Sequence, residues 1–300
     1  MTKLVSYENA SRQGFGLVTE SGVVALADRG VGATSLQELI VQGADLRRIE
    51  DKFGGRPADV ALDELRYLPP VHAPQKIVCV GLNYHGHMTE TGRQPVTHPT
   101  LFSRWPDSHV GHGEPLILPS VSKKFDYEGE LAIVIGRQGR HVPRSEAMAY
   151  VVGYSCYNDG SIRDWQKHTS QFLPGKNFEA SGAFGPWLVA AHSVPDYREL
   201  RLTTRLNGQI VQETNLADMI FDIPALIEYV SSFTTLNPGD VLVTGTPDGV
   251  GAFRDPQLWM AAGDTVDVEI SGVGVLSNTV LAETDVVART ATMQRAEPSQ

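Results

Sequence analysis

Short apolar runs recur along this 300-residue chain between polar turns rich in Gly and Pro. In the first 70 residues, KLVSY, GFGLVT and GVVALA read as strands. SLQELIVQ reads as a helix that Thr34 or Ser35 can cap, and the helix-like ALDELRYL follows. LPPVHAP, residues 68–74, carries three prolines and reads as a linker. The pattern therefore predicts a small N-terminal domain over 1–70 and a larger domain over 75–285. In the larger part, KIVCVG is a buried strand ending at Gly81. Residues 83–99, NYHGHMTETGRQPVTHP, lack apolar periodicity and predict a long loop of the kind that tends to be functional. Residues 144–152 predict a short helix. LTTRLNGQIVQE is a hairpin pattern with Asn207-Gly208 at its turn. Asp222 caps a helix over IPALIEYVSSF, with Pro224 in its first turn. GDVLVTGTPDGVG is a strand running into a Gly-rich turn, and GDTVDVEI and GVGVLSNTV add two more strands. Residues 288–300 are polar and predict a frayed end. Many strands with few, short helices predict an α+β fold rich in strand, not a doubly wound sheet.

One strand breaks the ordinary pattern. In FDYEGELAIVIG, residues 125–136, the apolar run Leu131–Ile135 is preceded by Asp126, Glu128 and Glu130 at every second position. Strand side chains alternate faces, so Glu128 and Glu130 point the same way, about 7 Å apart. An exposed, charged strand end fits this spacing too. However, VVGYSCYNDG runs a second apolar strand into Asp159. Three carboxylates at the ends of buried strands make an all-oxygen site for a hard cation such as Mg²⁺. Zinc would prefer His or Cys.

Other candidates gather around this site. His87 and Glu90 are three residues apart, so one helical turn would let the carboxylate orient the imidazole as a general base. Arg163 and Gln166 share a face if DGSIRDWQ is helical. Gly245 and Thr246 lie in the turn after VLVT, where a hydroxyl and backbone N–H groups could grip a substrate carboxylate. Tyr84 could offer a phenol to substrate. A zinc site from His109 and His112 with His85 and His87 is weaker, because no cysteine accompanies them. Arg104, Trp105 and His109 fall where substrate side groups could lie.

Composition narrows the partners. Hydrophobic residues make up 41% and charged residues 20%, as in an ordinary globular protein. The net charge is −10 and no basic block occurs, which argues against nucleic acid. No run of 18 apolar residues exists, so no membrane span is expected. The polar start, MTKLVSYENASRQ, lacks a signal-peptide core. Cys79 and Cys156 sit in apolar runs and read as reduced core thiols, so a cytoplasmic location is expected.

Taken in order, VGLNYHGHMTE, YEGELAIVIG, YSCYNDGSIRDWQ, PGKNF and VTGTPDGVG resemble the fumarylacetoacetate hydrolase family, over about Lys76 to Val280. The resemblance implies a mixed β-roll for the larger domain and a homodimer. It implies Mg²⁺ or Mn²⁺ on Glu128, Glu130 and Asp159. It also implies that His87 and Glu90 form a water-activating pair on a lid, that Lys176 is the active-site lysine, and that Arg163 and Gln166 border the substrate. The expected activity is hydrolysis of a C–C bond in a small anionic acylpyruvate-type keto acid, in the catabolism of aromatic compounds. Oxaloacetate-type decarboxylation and isomerisation of a hydroxymuconate-like or 2-hydroxyhepta-2,4-dienedioate-type acid share the same chemistry. A non-catalytic metal-binding scaffold is the reading from another class.

Overall fold

The computed structural model describes residues 1–10, 12–92 and 96–286. The tail expected to fray at 288–300 lies outside the described residues. Among the described residues, one large sheet has its strands in the order Gly22–Ala25, Arg12–Thr19, Lys3–Asn9, Gly182–Ala190, Val151–Asn158, Gly129–Ile135, Val241–Val243, Ile77–Gly81, Thr100–Ser103. Most pairs are antiparallel, but Val241–Val243 runs parallel to Ile77–Gly81, so the sheet is mixed. A second sheet is ordered Gln209–Asn215, Arg201–Leu206, Thr265–Ile270, Gly274–Ala282, Leu116–Leu118. The fold is α+β, as the strand-rich pattern predicts.

Strand Gly129–Ile135 lies in the middle of the large sheet and is buried along its whole length. Its alternate residues serve two cores. Leu131, Ile133 and Ile135 pack with Leu202, Val266 and Val268 of the second sheet. Ala132 and Val134 pack on the other face with Leu36, Leu39, Ile49 and Phe53. A strand covered on both faces needs an unbroken apolar run, which explains LAIVI. Each Leu or Ile so buried contributes about 1.5–3 kcal/mol. The N-terminal strand Lys3–Asn9 pairs with Gly182–Ala190 in the register Lys3↔Val189 and Leu4↔Leu188. The sheet is thus continuous from the first 70 residues into the rest of the chain.

Local signals account for the helix ends. Ser35 accepts from Glu38 N–H at the start of Leu36–Val41, while Glu38 accepts from Thr34. Asp222 accepts from Ala225 N–H at 2.9 Å at the start of Ile223–Phe233. Asn207 and Gly208 both take positive φ, 52° and 79°, at the hairpin tip. Three expectations change. ALDELRYL gives only a short 3₁₀ turn at Leu62–Glu64, because Arg66–Leu68 pairs as a strand with Lys3–Asn9. The stretch at 144–152 is 3₁₀ over Arg144–Tyr150. The loop at 83–99 contains a helix, His85–Thr91, closed by Gly92 at φ 65°. Only Met88 among its apolar side chains is buried, so it shows no periodicity to read. Cys79 and Cys156 are buried and free.

Candidate active site

The ladder between Gly129–Ile135 and Val151–Asn158 brings the carboxylates together. Gly129 pairs with Asn158, and Glu130 with Tyr157. Just beyond the ladder, Asp159 N–H donates to Glu128 O at 2.8 Å, and Glu128 N–H donates to Asn158 Oδ1 at 3.0 Å. Glu128, Glu130 and Asp159 are buried and offer oxygens within 4.8 Å of one another.

Three buried cations surround them. Lys176 Nζ lies 2.5 Å from Glu128 Oε2 and 2.6 Å from Asp159 Oδ2. Arg163 Nε donates to Asp126 at 2.8 Å, while its Nη2 lies 2.6 Å from Glu128 Oε1 as an ion pair without hydrogen-bond alignment. Arg104 Nη1 donates to Asp159 Oδ1 at 2.6 Å. Burial opposes ionisation of Glu128, but Arg163 and Lys176 outweigh it and hold the group at about 2. Glu130 differs, because among the described residues it receives only the Gly245 N–H, at 2.6 Å. Burial, then Asp159 and Glu128, push its carboxyl well above the usual range. Among the described residues, four buried carboxylates, Asp126 included, thus face three buried cations, and Glu130 is the one with no cation bonded to it. An all-oxygen donor set with an uncompensated carboxylate fits a hard divalent cation. Glu128, Glu130 and Asp159 are the residues that could hold it.

The helix His85–Thr91, called the lid below, borders the cleft through His87 and Thr91. His87 Nδ1 lies 3.0 Å from Glu90 Oε2, and Glu90 Oε1 accepts Gly249 N–H at 2.9 Å. A carboxylate only accepts, so Nδ1 carries the proton and Nε2 keeps its lone pair. The lid's first residues are anchored by Asn83, which is fully buried and donates to Thr244 O at 2.7 Å and Phe221 O at 3.0 Å. The Phe253 ring stands edge-on to His87 at 6.2 Å.

Between lid and floor is a cleft of about 420 Å³. His87, Glu128, Glu130, Arg163, Gln166, Lys176 and Thr246 all line it, with Phe102, Phe172 and Phe253 as apolar walls. Arg163 and Gln166 do share a short helix, Arg163–Gln166, and Arg163 Nη1 donates to Gln166 Oε1 at 3.0 Å. Thr246 Oγ1 donates to Gly129 O and accepts from Gln212, so its hydroxyl is engaged by the protein. Four expected residues do not line the cleft: Glu90 joins it through His87, Asp159 joins it through Lys176, and Gly245 and Tyr84 stand apart. Gly245, at φ 98°, turns its N–H onto Glu130; a Cβ there would lie 2.7 Å from the Asn83 Cβ. Tyr84 is buried in the core, its hydroxyl has no hydrogen-bond partner, and it borders a different depression beside His85.

Other expectations are corrected. Arg104 does not line the cleft. It lies beneath Asp159 and also donates to Gly160 O and Ser181 Oγ. Trp105 is 52% exposed outside the cleft. His109 bonds the Tyr157 hydroxyl, and His112 accepts from Ser277 N–H, so no histidine zinc cluster forms among the described residues. Asp126 carries more than the sequence reading gave it. Its two oxygens accept from Gly251 N–H, Ala252 N–H and Arg163, tying the floor to the wall that bears Phe253. Its place in the every-second-residue series with Glu128 and Glu130 was the available signal.

A mixed α+β fold whose cleft sets buried carboxylates opposite a bonded His–Glu pair has the layout of an enzyme's active site. Residues 76–281 match the family described as fumarylacetoacetate (FAA) hydrolase C-terminal. The chain belongs to the fumarylacetoacetate hydrolase family. It is 43% identical over 219 residues to the mitochondrial oxaloacetate tautomerase Fahd2a of Rattus norvegicus, covering 73% of this chain and 70% of that one. The fumarylacetoacetate hydrolase of Exiguobacterium antarcticum superposes with a TM-score of 0.84 at 34% identity, over 94% of this chain and 100% of that one. A maleylpyruvate hydrolase from Sphingobium sp. SYK-6, solved with manganese(II) and pyruvate, gives 0.79 at 26% identity, over 93% and 99%. Among the described residues, no helix is long and apolar enough to cross a membrane.

Proposed function

We propose that this protein transfers a proton at the carbon beside the keto group of a small 2-oxo acid of the oxaloacetate type, interconverting its enol and keto forms. The observation that carries this reading is His87, bonded to Glu90, lining one cleft with Glu128 and Glu130, whose carboxylates cluster with Asp159. The identity to the rat oxaloacetate tautomerase supports the substrate type. Mg²⁺ or Mn²⁺ held by Glu128, Glu130 and Asp159 would draw electron density from the keto oxygen and acidify the neighbouring C–H. His87 Nε2 takes that proton. The C–H electron pair becomes the C2–C3 double bond, the carbonyl π pair moves onto the keto oxygen, and that oxygen takes a proton from solvent while the His87 imidazolium returns its own to solvent. Glu90 keeps Nδ1 protonated and stabilises the imidazolium. Lys176 places positive charge beside the developing oxyanion, while Arg163 and Gln166 border the bound acid.

Hydrolysis of an acylpyruvate is the second reading, favoured by the same His–Glu pair and by the likeness to the maleylpyruvate hydrolase. There His87 takes a proton from water, and the hydroxide adds to the distal carbonyl. The C–C bond then breaks, and its electron pair leaves on the pyruvate fragment, which takes up a proton. Both readings include a homodimer in a reducing compartment, the latter suited to the free thiols Cys79 and Cys156.

A substrate panel tests the choice. Oxaloacetate and several acylpyruvates are followed by enol or diketo absorbance and by released pyruvate, with Mg²⁺ or Mn²⁺ and again with EDTA. Faster keto–enol equilibration of oxaloacetate without pyruvate, lost in EDTA, supports the tautomerase. Pyruvate from an acylpyruvate moves the assignment to the hydrolase, and pyruvate from oxaloacetate to the decarboxylase. Cation binding without any turnover leaves the scaffold.

A further inference from the structure

We infer that Lys167 determines specificity by reading the second carboxylate of a 2-oxo diacid; this rests on the keto-acid reading of the cleft. Among the cations lining the cleft, Arg163 and Lys176 are locked in ion pairs with its carboxylates. Lys167 also lines the cleft, yet it is exposed and its ammonium has no hydrogen bond or ion pair among the described residues. It stands 5.8 Å from the centroid of Phe253, the ring that also meets lid residue His87. Lys167 directly follows the helix Arg163–Gln166, so the helix that sends Arg163 to the floor delivers a free cation to the rim.

The rim around it offers further unused donors. Gln166 accepts from Arg163 through Oε1, and among the described residues its amide N–H₂ has no acceptor and the Ser170 hydroxyl, which lines the same cleft, has no hydrogen bond. Ammonium, amide and hydroxyl together suit a carboxylate, which only accepts.

The test uses full-length protein with Mg²⁺ and two acids of equal length, 2-oxoglutarate and 2-oxopentanoate, which differ in ending in a carboxylate or a methyl group. Calorimetry gives the Kd of each for wild type, Lys167→Met, Lys167→Arg and Lys167→Glu, alongside kcat/KM on oxaloacetate. The diacid preference should fall about tenfold in Lys167→Met, close to 1.4 kcal/mol. It should return in Lys167→Arg and fall further in Lys167→Glu. An unchanged preference in both Lys167→Met and Lys167→Glu overturns the inference, as does failure of wild type to bind either acid. Turnover with a preference that ignores Lys167 sinks this inference alone. A preference that follows Lys167 without turnover of any keto acid upholds it and rejects the proposed reaction.

Discussion

Glu130 and His87 face one cleft, but their supports differ. Glu130 lies on a central strand buried on both faces, with Asp159 and Glu128 fixed beside it by the strand ladder. His87 rides on a seven-residue polar helix held by Asn83, by the Gly92 cap and by one bond from Gly249 to Glu90. The floor concentrates buried charge that strands must position, so binding and folding are coupled there. The lid carries the base of the proposed reaction on an element with little core of its own, so changes there should have little effect on the fold.

The sharpest way to break this contrast is at the floor. Glu130→Gln should weaken Mg²⁺ binding by about a hundredfold or more, measured by calorimetry, since outer-shell changes alone cost about 10–100-fold. It should not lower the Tm of the metal-free protein at neutral pH. Glu130 is raised above its usual range, so its contribution is present below the unfolded value and lost as pH rises through the folded one. Replacing it removes that loss. A lower metal-free Tm would mean that Glu130 is already compensated.

Arg104→Met leaves Asp159 buried without its guanidinium partner. Chemical denaturation should show a loss of about 3–5 kcal/mol, with Mg²⁺ affinity down about 10–100-fold. A loss in stability with affinity intact would confine Arg104 to the core.

At the lid, Glu90→Gln should lower kcat by about ten- to a hundredfold while leaving Mg²⁺ affinity and Tm within error of wild type. A fall in Tm comparable to Arg104→Met would erase the distinction between the two regions.

Acid separates the two glutamates of the floor. Glu128 is depressed to about 2, so its stabilisation is present above the unfolded carboxylate value near 4.5 and is lost as pH falls toward 2. Glu130 acts in the opposite direction at higher pH. The Tm gained on adding Mg²⁺ should therefore be larger at pH 8 than at pH 5. An equal gain at both would contradict the assignment of Glu130 as the uncompensated ligand.

The smallest effect lies outside both regions. Asp222→Ala, at the cap of Ile223–Phe233, should cost about 1 kcal/mol with no change in kcat or Mg²⁺ affinity.

What the sequence made legible follows the same division. Glu128 with Glu130, and His87 with Glu90, are local pairs, set by the period of a strand and the turn of a helix, and their spacing could be read directly. The hairpin at Asn207-Gly208 and the Asp222 cap are equally local. Arg104 and Asp159 are 55 positions apart, and Asp126 and Ala252 are 126 apart. Such pairs depend on the order of strands in the sheet, which no local period encodes. Tyr84 is buried away from the cleft, because adjacency to the lid in sequence does not fix which side of the backbone faces it. The lid helix is not legible in the sequence, because an element packed through one apolar side chain has no periodic signature.

The most direct measurement of the central claim is NMR of solvent deuterium entering C3 of oxaloacetate, for wild type and His87→Gln, each with Mg²⁺ affinity measured in parallel. The account predicts enzyme-dependent exchange in wild type, a fall of about 10²–10⁴-fold in His87→Gln, and the same Mg²⁺ Kd in both. Exchange at the wild-type rate in His87→Gln, or loss of Mg²⁺ binding along with exchange, would contradict it.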